Sequence, residues 1–148
     1  MKLFNAKKNG QEKFSDKVRK QLVECGGSAT IHLLNGEPCH ILLNETGTGI
    51  ISDKLNKYSL NYNLEVFDVI QELLIQKKGR ALKGTGRGKD DKVGYGKCGL
   101  DTLVGYIAYK YNGIGLGSST FDPVFVLAAV LDWVGLAKNC RGYIEIIK

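Results

Sequence analysis

The apolar positions at the start of the chain repeat at helical spacing. Phe14, Val18 and Leu22 follow one another at four-residue intervals, which predicts a helix over residues 11–24. The glycine pair at 26–27 ends the predicted helix. The opposite face carries three cations: Lys13, Lys17 and Lys20. Such a charge run is typical of a solvated helix face, and it also supplies an auxiliary cationic stripe.

A different pattern follows, in which short apolar runs alternate with turn residues. Residues 28–44 predict a β-hairpin whose turn is Asn35-Gly36-Glu37-Pro38. The pair Ile50-Ile51 resumes the apolar pattern and predicts a third short strand. Residues 52–63 are polar and rich in asparagine, so we expect a connection there.

The second half returns to helical periodicity. Asn63 is positioned to cap the first of its helices, and Ser119 or Thr120 the last. The predicted helices span residues 64–76, 101–111 and 121–136. The last helix is apolar on nearly every side apart from Asp132, so it is expected to be the centre of the C-terminal core. A closing strand over residues 143–147 is expected to return to the sheet of the first half.

These elements predict an α+β fold. An N-terminal helix and a small antiparallel sheet pack with a C-terminal three-helix group and a closing strand. A length of 148 residues fits one compact domain, residues 1–148. Its two sub-parts are residues 1–60, with the helix and hairpin, and residues 61–148, the helical part.

The composition indicates a globular protein and a cellular compartment for it. The chain is 43% hydrophobic and 24% charged, which is ordinary for a globular protein. Its four cysteines, at 25, 39, 98 and 140, form no C-x-x-C pair, so reduced core thiols in a cytoplasmic protein are expected. Residues 1–10 resemble a flexible basic arm rather than a signal peptide. The apolar run 124–131 is too short for a membrane span, so no membrane partner is predicted.

The charge is concentrated in one stretch, which we call the basic loop: residues 77–97. It holds eight Lys or Arg residues, six glycines and two acids, a net charge of +6, which equals the net charge of the whole chain. Residues 1–20 carry a net +5 and the remainder a net −5. Two basic segments on a mildly acidic body favour binding to an extended polyanion.

The sequence therefore predicts a non-enzymatic nucleic-acid-binding protein without a cofactor. DNA and RNA are both open. Tyr95 is expected to stack on an unpaired base. The expected phosphate contacts in the basic loop are Lys77, Lys78, Arg80, Lys83, Arg87, Lys89, Lys92 and Lys97, with the helical lysines Lys13, Lys17 and Lys20 as auxiliaries.

Familiar nucleotide motifs fail on context. Gly94, Gly96 and Gly99 match a dinucleotide fingerprint, but the residues before them, 89–93, are too polar for the buried strand that the fingerprint requires. The loop also lacks the spacing of a Walker A motif. A standard recognition helix is excluded because the third helix is apolar, although a distant winged-helix relationship in the core packing stays open.

Two other functions are compatible with the sequence. The first is a protein-binding inhibitor or accessory factor of a nucleic-acid-processing complex. The second is a metal-dependent nuclease that uses a helical face of Glu65, Asp68 and Glu72, with Asp90 or Asp91 from the loop.

A zinc site is not predicted. The candidate ligands are Cys25, His32, Cys39 and His40. Cys39 and His40 are adjacent on a predicted strand and point to opposite faces, and no pair has zinc-site spacing.

Overall fold

The computed structural model describes residues 12–56 and 62–147. Helices and antiparallel sheets both occur in them, so the predicted α+β class is confirmed. The basic arm predicted at residues 1–10 lies outside the described residues, and so does part of the connection predicted after the third strand.

The first part of the chain is a helix followed by a small sheet. Helix α1 spans Phe14–Glu24 and buries its predicted stripe, Phe14, Val18 and Leu22. The strands of the sheet are β1 Ser28–His32, β2 Pro38–Leu43, β3 Gly49–Ser52 and β4 Tyr62–Asn63. They pair antiparallel in that spatial order, and the single helical turn α2, Asp53–Asn56, follows β3. The hairpin and the third strand lie where the pattern predicts them, whereas β4 is an addition.

The second part combines three helical segments with a second sheet. Its elements are α3 Glu65–Gln76, β5 Arg80–Leu82, α4 Leu103–Tyr106, α5 Val124–Val134, β6 Ala137–Cys140 and β7 Tyr143–Ile146. Helix α4 continues as a π-helical turn over Ile107–Tyr111. The sheet has the antiparallel order β5-β7-β6. Helix, strand, two helices and a closing hairpin thus follow one another in this part of the chain.

The prediction for the closing strand is wrong in its partner. Strand β7 pairs with β5 and β6, not with the sheet of the first half. Ile144 lies opposite both Ala81 and Asn139. Neither partner strand was predicted, because β5 lies inside the basic loop and β6 follows α5 directly. Gly135, at φ 88°, ends α5 early enough for β6 to form.

The predicted helix starts also need correction. Helix α3 has Leu64 as its N-cap residue, and Asn63 belongs to β4 instead of capping the helix. Helix α5 begins at Val124, whose N–H donates to Asp122 Oδ1 at 2.8 Å, so neither Ser119 nor Thr120 caps it. Helix α4 begins after Thr102, whose side chain accepts the Gly105 N–H.

Both parts contribute side chains to one hydrophobic cluster. Helix α5 contributes most of its side chains to this cluster and contacts α1, β1 and β6. Its fully buried side chains include Val126, Leu127, Val130 and Leu131. Asp132, the acid in this helix, is exposed, and its Oδ2 accepts the Asn139 N–H at 2.8 Å. The carboxylate thus accepts a backbone N–H of β6 rather than pairing with a basic side chain.

Helix α1 is capped by side chains from α3. Lys13, at the N-cap position, supplies no side-chain hydrogen bond. Asp68 instead accepts the Ser15 N–H at 2.9 Å and the Ser15 hydroxyl at 2.8 Å. Gln71 accepts the Phe14 N–H at 2.9 Å. Two of the N–H groups that every helix start leaves unpaired are therefore satisfied across the α1–α3 contact.

Candidate nucleic-acid interface

The residues that we call the basic loop do not form one continuous loop in the structure. Lys77 is the C-cap of α3, and Lys78 takes a left-handed conformation at φ 59°. The chain then forms β5 before it enters an irregular segment, residues 83–95, and a short 3₁₀ turn, Gly96–Cys98. The prediction of an unbroken glycine-rich loop is therefore corrected: its first third belongs to regular structure.

An acidic side chain organises the irregular segment. Asp91 Oδ1 accepts the Lys97 N–H at 2.7 Å. Its carboxylate lies against Gly88 and Gly96, where a Cβ atom would collide with the carboxylate oxygens. The glycines thus provide the room in which the carboxylate sits. One of the two acids of the basic loop is therefore part of its framework.

The same segment is fastened to the chain that precedes α5. Val93 and Cys98 are fully buried. The Val93 N–H donates to the Ser118 carbonyl at 3.0 Å, and the Gly117 N–H donates to the Val93 carbonyl at 2.8 Å. The irregular segment therefore has its own hydrogen-bonded framework.

Two of the predicted phosphate contacts have partners within the protein. Arg80 forms an ion pair with Glu145 at 3.3 Å, and its guanidinium lies 4.4 Å from the centre of the Tyr143 ring. Lys83 donates to Asn139 Oδ1 at 2.6 Å. Burial lowers the pKa of the Lys83 ammonium, an effect that the nearby Cys140 and Asp122 oppose. Both cations are therefore less available to a ligand than the sequence predicts.

The other cations of the basic loop are freer. Lys92 donates to the Ser119 hydroxyl at 3.0 Å. Arg87 is exposed, and its charge lowers the pKa of Asp122 by less than burial raises it. Within residues 12–56 and 62–147, Arg80 alone among the loop cations forms an ion pair. The exposed loop lysines whose side chains have no hydrogen bond or ion pair to described residues are Lys77, Lys78, Lys89 and Lys97.

An apolar surface accompanies these cations. Tyr95 is 57% exposed and Leu116 is 54% exposed. A Cβ atom on Gly117 would lie 4.0 Å from the Tyr95 ring, and one on Gly94 would lie 2.8 Å from Leu116. The segment that fastens the loop therefore also places an aliphatic side chain near the predicted stacking residue. Sequence analysis missed Leu116, since only its position in a glycine-rich turn marked it.

The auxiliary lysines of α1 differ from one another. Lys17 forms an ion pair with Glu12 at 3.4 Å, whereas Lys13 and Lys20 are exposed and form none with described residues. Lys17 and Lys78 line the same groove, which has a volume of about 590 Å³. The structure thus brings one lysine of α1 and one of the basic loop to a shared groove.

The acidic face of α3 is committed to other contacts. Asp68 caps α1, and Glu72 accepts a short hydrogen bond from the Tyr106 hydroxyl and pairs with Lys110 at 3.7 Å. No group of three or more potential ligands that could hold a metal ion occurs in the part of the chain that the structure describes. Asp68 and Glu72 therefore have structural partners where the nuclease hypothesis requires free ligands.

The candidate zinc ligands among the cysteines and histidines lie in separate environments. Cys39 is buried and lies 3.3 Å from the Ser52 hydroxyl, and burial raises the pKa of its thiol. His40 lies on the exposed side of the same strand, with its Nδ1 2.7 Å from the Thr30 hydroxyl. All four cysteines are unpaired thiols. Cys25 is exposed and Cys140 half-buried, so the expectation of four core thiols is wrong for these two.

The comparisons leave the family open. Comparison with protein-family models, curated proteins and solved structures finds no match to this chain. None of the helices in the described residues combines the length and apolar character needed to cross a bilayer. The arrangement of the loop is therefore the observation that bears on function.

Proposed function

We propose that the protein binds nucleic acid, without catalysing a reaction, through the exposed cations of the basic loop. The observation that carries this proposal is the set of exposed lysines without internal partners among the described residues: Lys77, Lys78, Lys89 and Lys97. Lysines that neutralise phosphates release condensed counterions, so such a set favours a polyanion. An internal carboxylate on each would have removed that driving force.

The neighbouring side chains support nucleic acid over other polyanions. Tyr95 and Leu116 offer exposed apolar surface, and the Tyr95 N–H donates to the Lys92 carbonyl at 2.7 Å. Proteins that bind single strands combine cations along the backbone with side chains on which bases stack. A purely ionic polymer would make no use of this surface. Lys13, Lys20 and the groove shared by Lys17 and Lys78 are the proposed auxiliary contacts.

Helix α5 does not act as a recognition helix in the proposed contact. Helix-turn-helix proteins read DNA with polar side chains of a recognition helix laid in the major groove. All residues of α5 from Val126 to Leu131 are buried in the core. The basic loop therefore takes the role of principal contact.

The proposal is tested by the salt dependence of binding. Fluorescence anisotropy of a labelled oligo(dT) is measured over a salt series with the wild type and with Lys89→Gln/Lys97→Gln. Each lost phosphate contact lowers the log–log salt slope by about 0.7 for a single strand, so the double variant loses about 1.4.

A control variant removes the same charge from paired positions. Arg19 pairs with Asp16 at 3.2 Å and Lys110 pairs with Glu72 at 3.7 Å, so Arg19→Gln/Lys110→Gln is expected to change the slope by much less. Absence of binding in dilute buffer, or equal slopes for the loop variant and the wild type, overturns the proposal. Binding of a protein partner whose affinity is the same for the wild type and for Lys89→Gln/Lys97→Gln instead favours the inhibitor or accessory function.

A further inference from the structure

A cleft lies beside the basic loop, between it and the first sheet. Its volume is about 440 Å³, which is within the range of small-ligand sites. The turn between β1 and β2 contributes Asn35 and Glu37, and the basic loop contributes Gly86 and Arg87. The chain before α5 closes the third side. Three segments that are distant in sequence thus converge on one concave surface.

Aromatic rings form part of the cleft wall. Phe121 and Phe125 both line it, with ring centroids 6.4 Å apart and planes at 71°. Phe125 is 38% exposed, whereas Val124 and residues 126–131 of the same helix are buried. An exposed aromatic ring in a cleft is suited to contact the flat face of a planar ligand.

The cleft also contains a carboxylate with spare acceptor capacity. Asp122 Oδ1 accepts the Val124 N–H, which leaves Oδ2 without a hydrogen bond from any described residue. No described cation forms an ion pair with this carboxylate. Burial raises the pKa of Asp122, and the Val124 N–H, Arg87 and Lys83 act in the opposite direction. The site therefore holds a half-buried acceptor that a donor group of a ligand would satisfy.

We propose that this cleft holds one unpaired nucleobase that carries an exocyclic amino group, namely cytosine, adenine or guanine. The amino group donates to Asp122, Phe125 contacts the base, and Arg87 binds an adjoining phosphate. Carboxylates accept from the amino group of cytosine, whereas thymine and uracil present a carbonyl at that position. This inference rests on the proposed function, because the base belongs to the strand held by the basic loop.

The inference is tested with two oligonucleotides that differ in one base. A labelled twelve-nucleotide oligo(dT) is compared with the same strand carrying one central dC, at fixed salt. One hydrogen-bonded base contact gives about fivefold discrimination at the low end of measured values, so the dC strand is expected to bind about fivefold tighter. Asp122→Asn keeps the acceptor for the Val124 N–H but offers an amino group to the base, so the preference is lost or reversed.

A second variant protects the test from a folding artefact. Phe125→Ala truncates an exposed ring and leaves the Asp122 carboxylate in place, so it is expected to weaken binding of the dC strand while the salt slope keeps its wild-type value. Equal affinity of the wild type for both strands, or a dC preference that survives in Asp122→Asn, overturns the cleft inference. In that case, salt-dependent binding that is lost in Lys89→Gln/Lys97→Gln would still support the proposed function. If neither strand binds, the proposed function and this inference both fall.

Discussion

The contact between α1 and α3 predicts that replacing Asp68 lowers the free energy of unfolding substantially. Asp68 lies half-buried on α3 and accepts two hydrogen bonds from Ser15, which is 6% exposed. Asp68→Ala removes both acceptors and leaves a buried N–H and a buried hydroxyl of α1 unpaired. Hydrogen bonds to charged groups contribute about 1.5–3 kcal/mol each, and access of water to the partly buried site reduces the sum to about 2–3 kcal/mol. The free energy of unfolding is expected to fall by that amount.

Urea denaturation followed by circular dichroism and by Trp133 fluorescence measures this loss. Asp68→Asn is the matched variant, because an amide keeps the acceptor for the N–H and donates to the hydroxyl, so we expect a loss of about 1 kcal/mol or less. Glu65→Ala, on the same helix but exposed, should stay within about 0.5 kcal/mol of the wild type. A loss below about 0.5 kcal/mol for Asp68→Ala, at unchanged m, would refute the capping argument.

Two further predictions concern residues that follow the basic loop in the chain. A Cβ atom at Gly105 would collide with the carbonyl oxygen of Gly99, so Gly105→Ala should cost about 1–3 kcal/mol in urea denaturation, whereas Gly115→Ala, with open space around it, should not. The raised pKa of Asp122 makes its stabilising contribution largest when it is protonated, and that contribution is lost as pH rises through the folded-state pKa. The wild type should therefore lose stability relative to Asp122→Asn as the pH rises above about 4, the ordinary value for an Asp carboxyl, and a constant difference would contradict this.

Elements with local periodicity were predictable from the sequence. The stripe of Phe14, Val18 and Leu22 defines α1 without reference to any other part of the chain. Strand β5 carries no such signal, because Ala81 is its only buried side chain. It exists through pairing with β7, about 60 residues later in the chain, as the Ala81–Ile144 partners show. Pairing over that distance has no trace in local pattern.

The charge of the candidate site was predictable from the sequence, but which of its cations are free to contact a ligand was not. The sequence shows that Arg80 and Lys89 are both cations of the basic loop, but not which of them has an internal partner. Arg80 meets Glu145 only because β5 and β7 place the two residues opposite each other. Asp122 carried no sequence signal as a ligand group, since the cleft that contains it is closed by three separate segments.

The glycines of the basic loop have a physical role other than flexibility. Gly88 and Gly96 leave room for the Asp91 carboxylate, and Gly84 approaches the Lys97 carbonyl so closely that a Cβ would lie 2.6 Å from its oxygen. Close packing of backbone against backbone requires residues without side chains, and it fixes the segment rather than loosening it. A fixed segment presents Lys89 and Lys97 with less conformational entropy to lose on binding than a free chain would. The glycines therefore favour a preorganised segment, and under the proposed function this preorganisation would help Lys89 and Lys97 to contact one strand together.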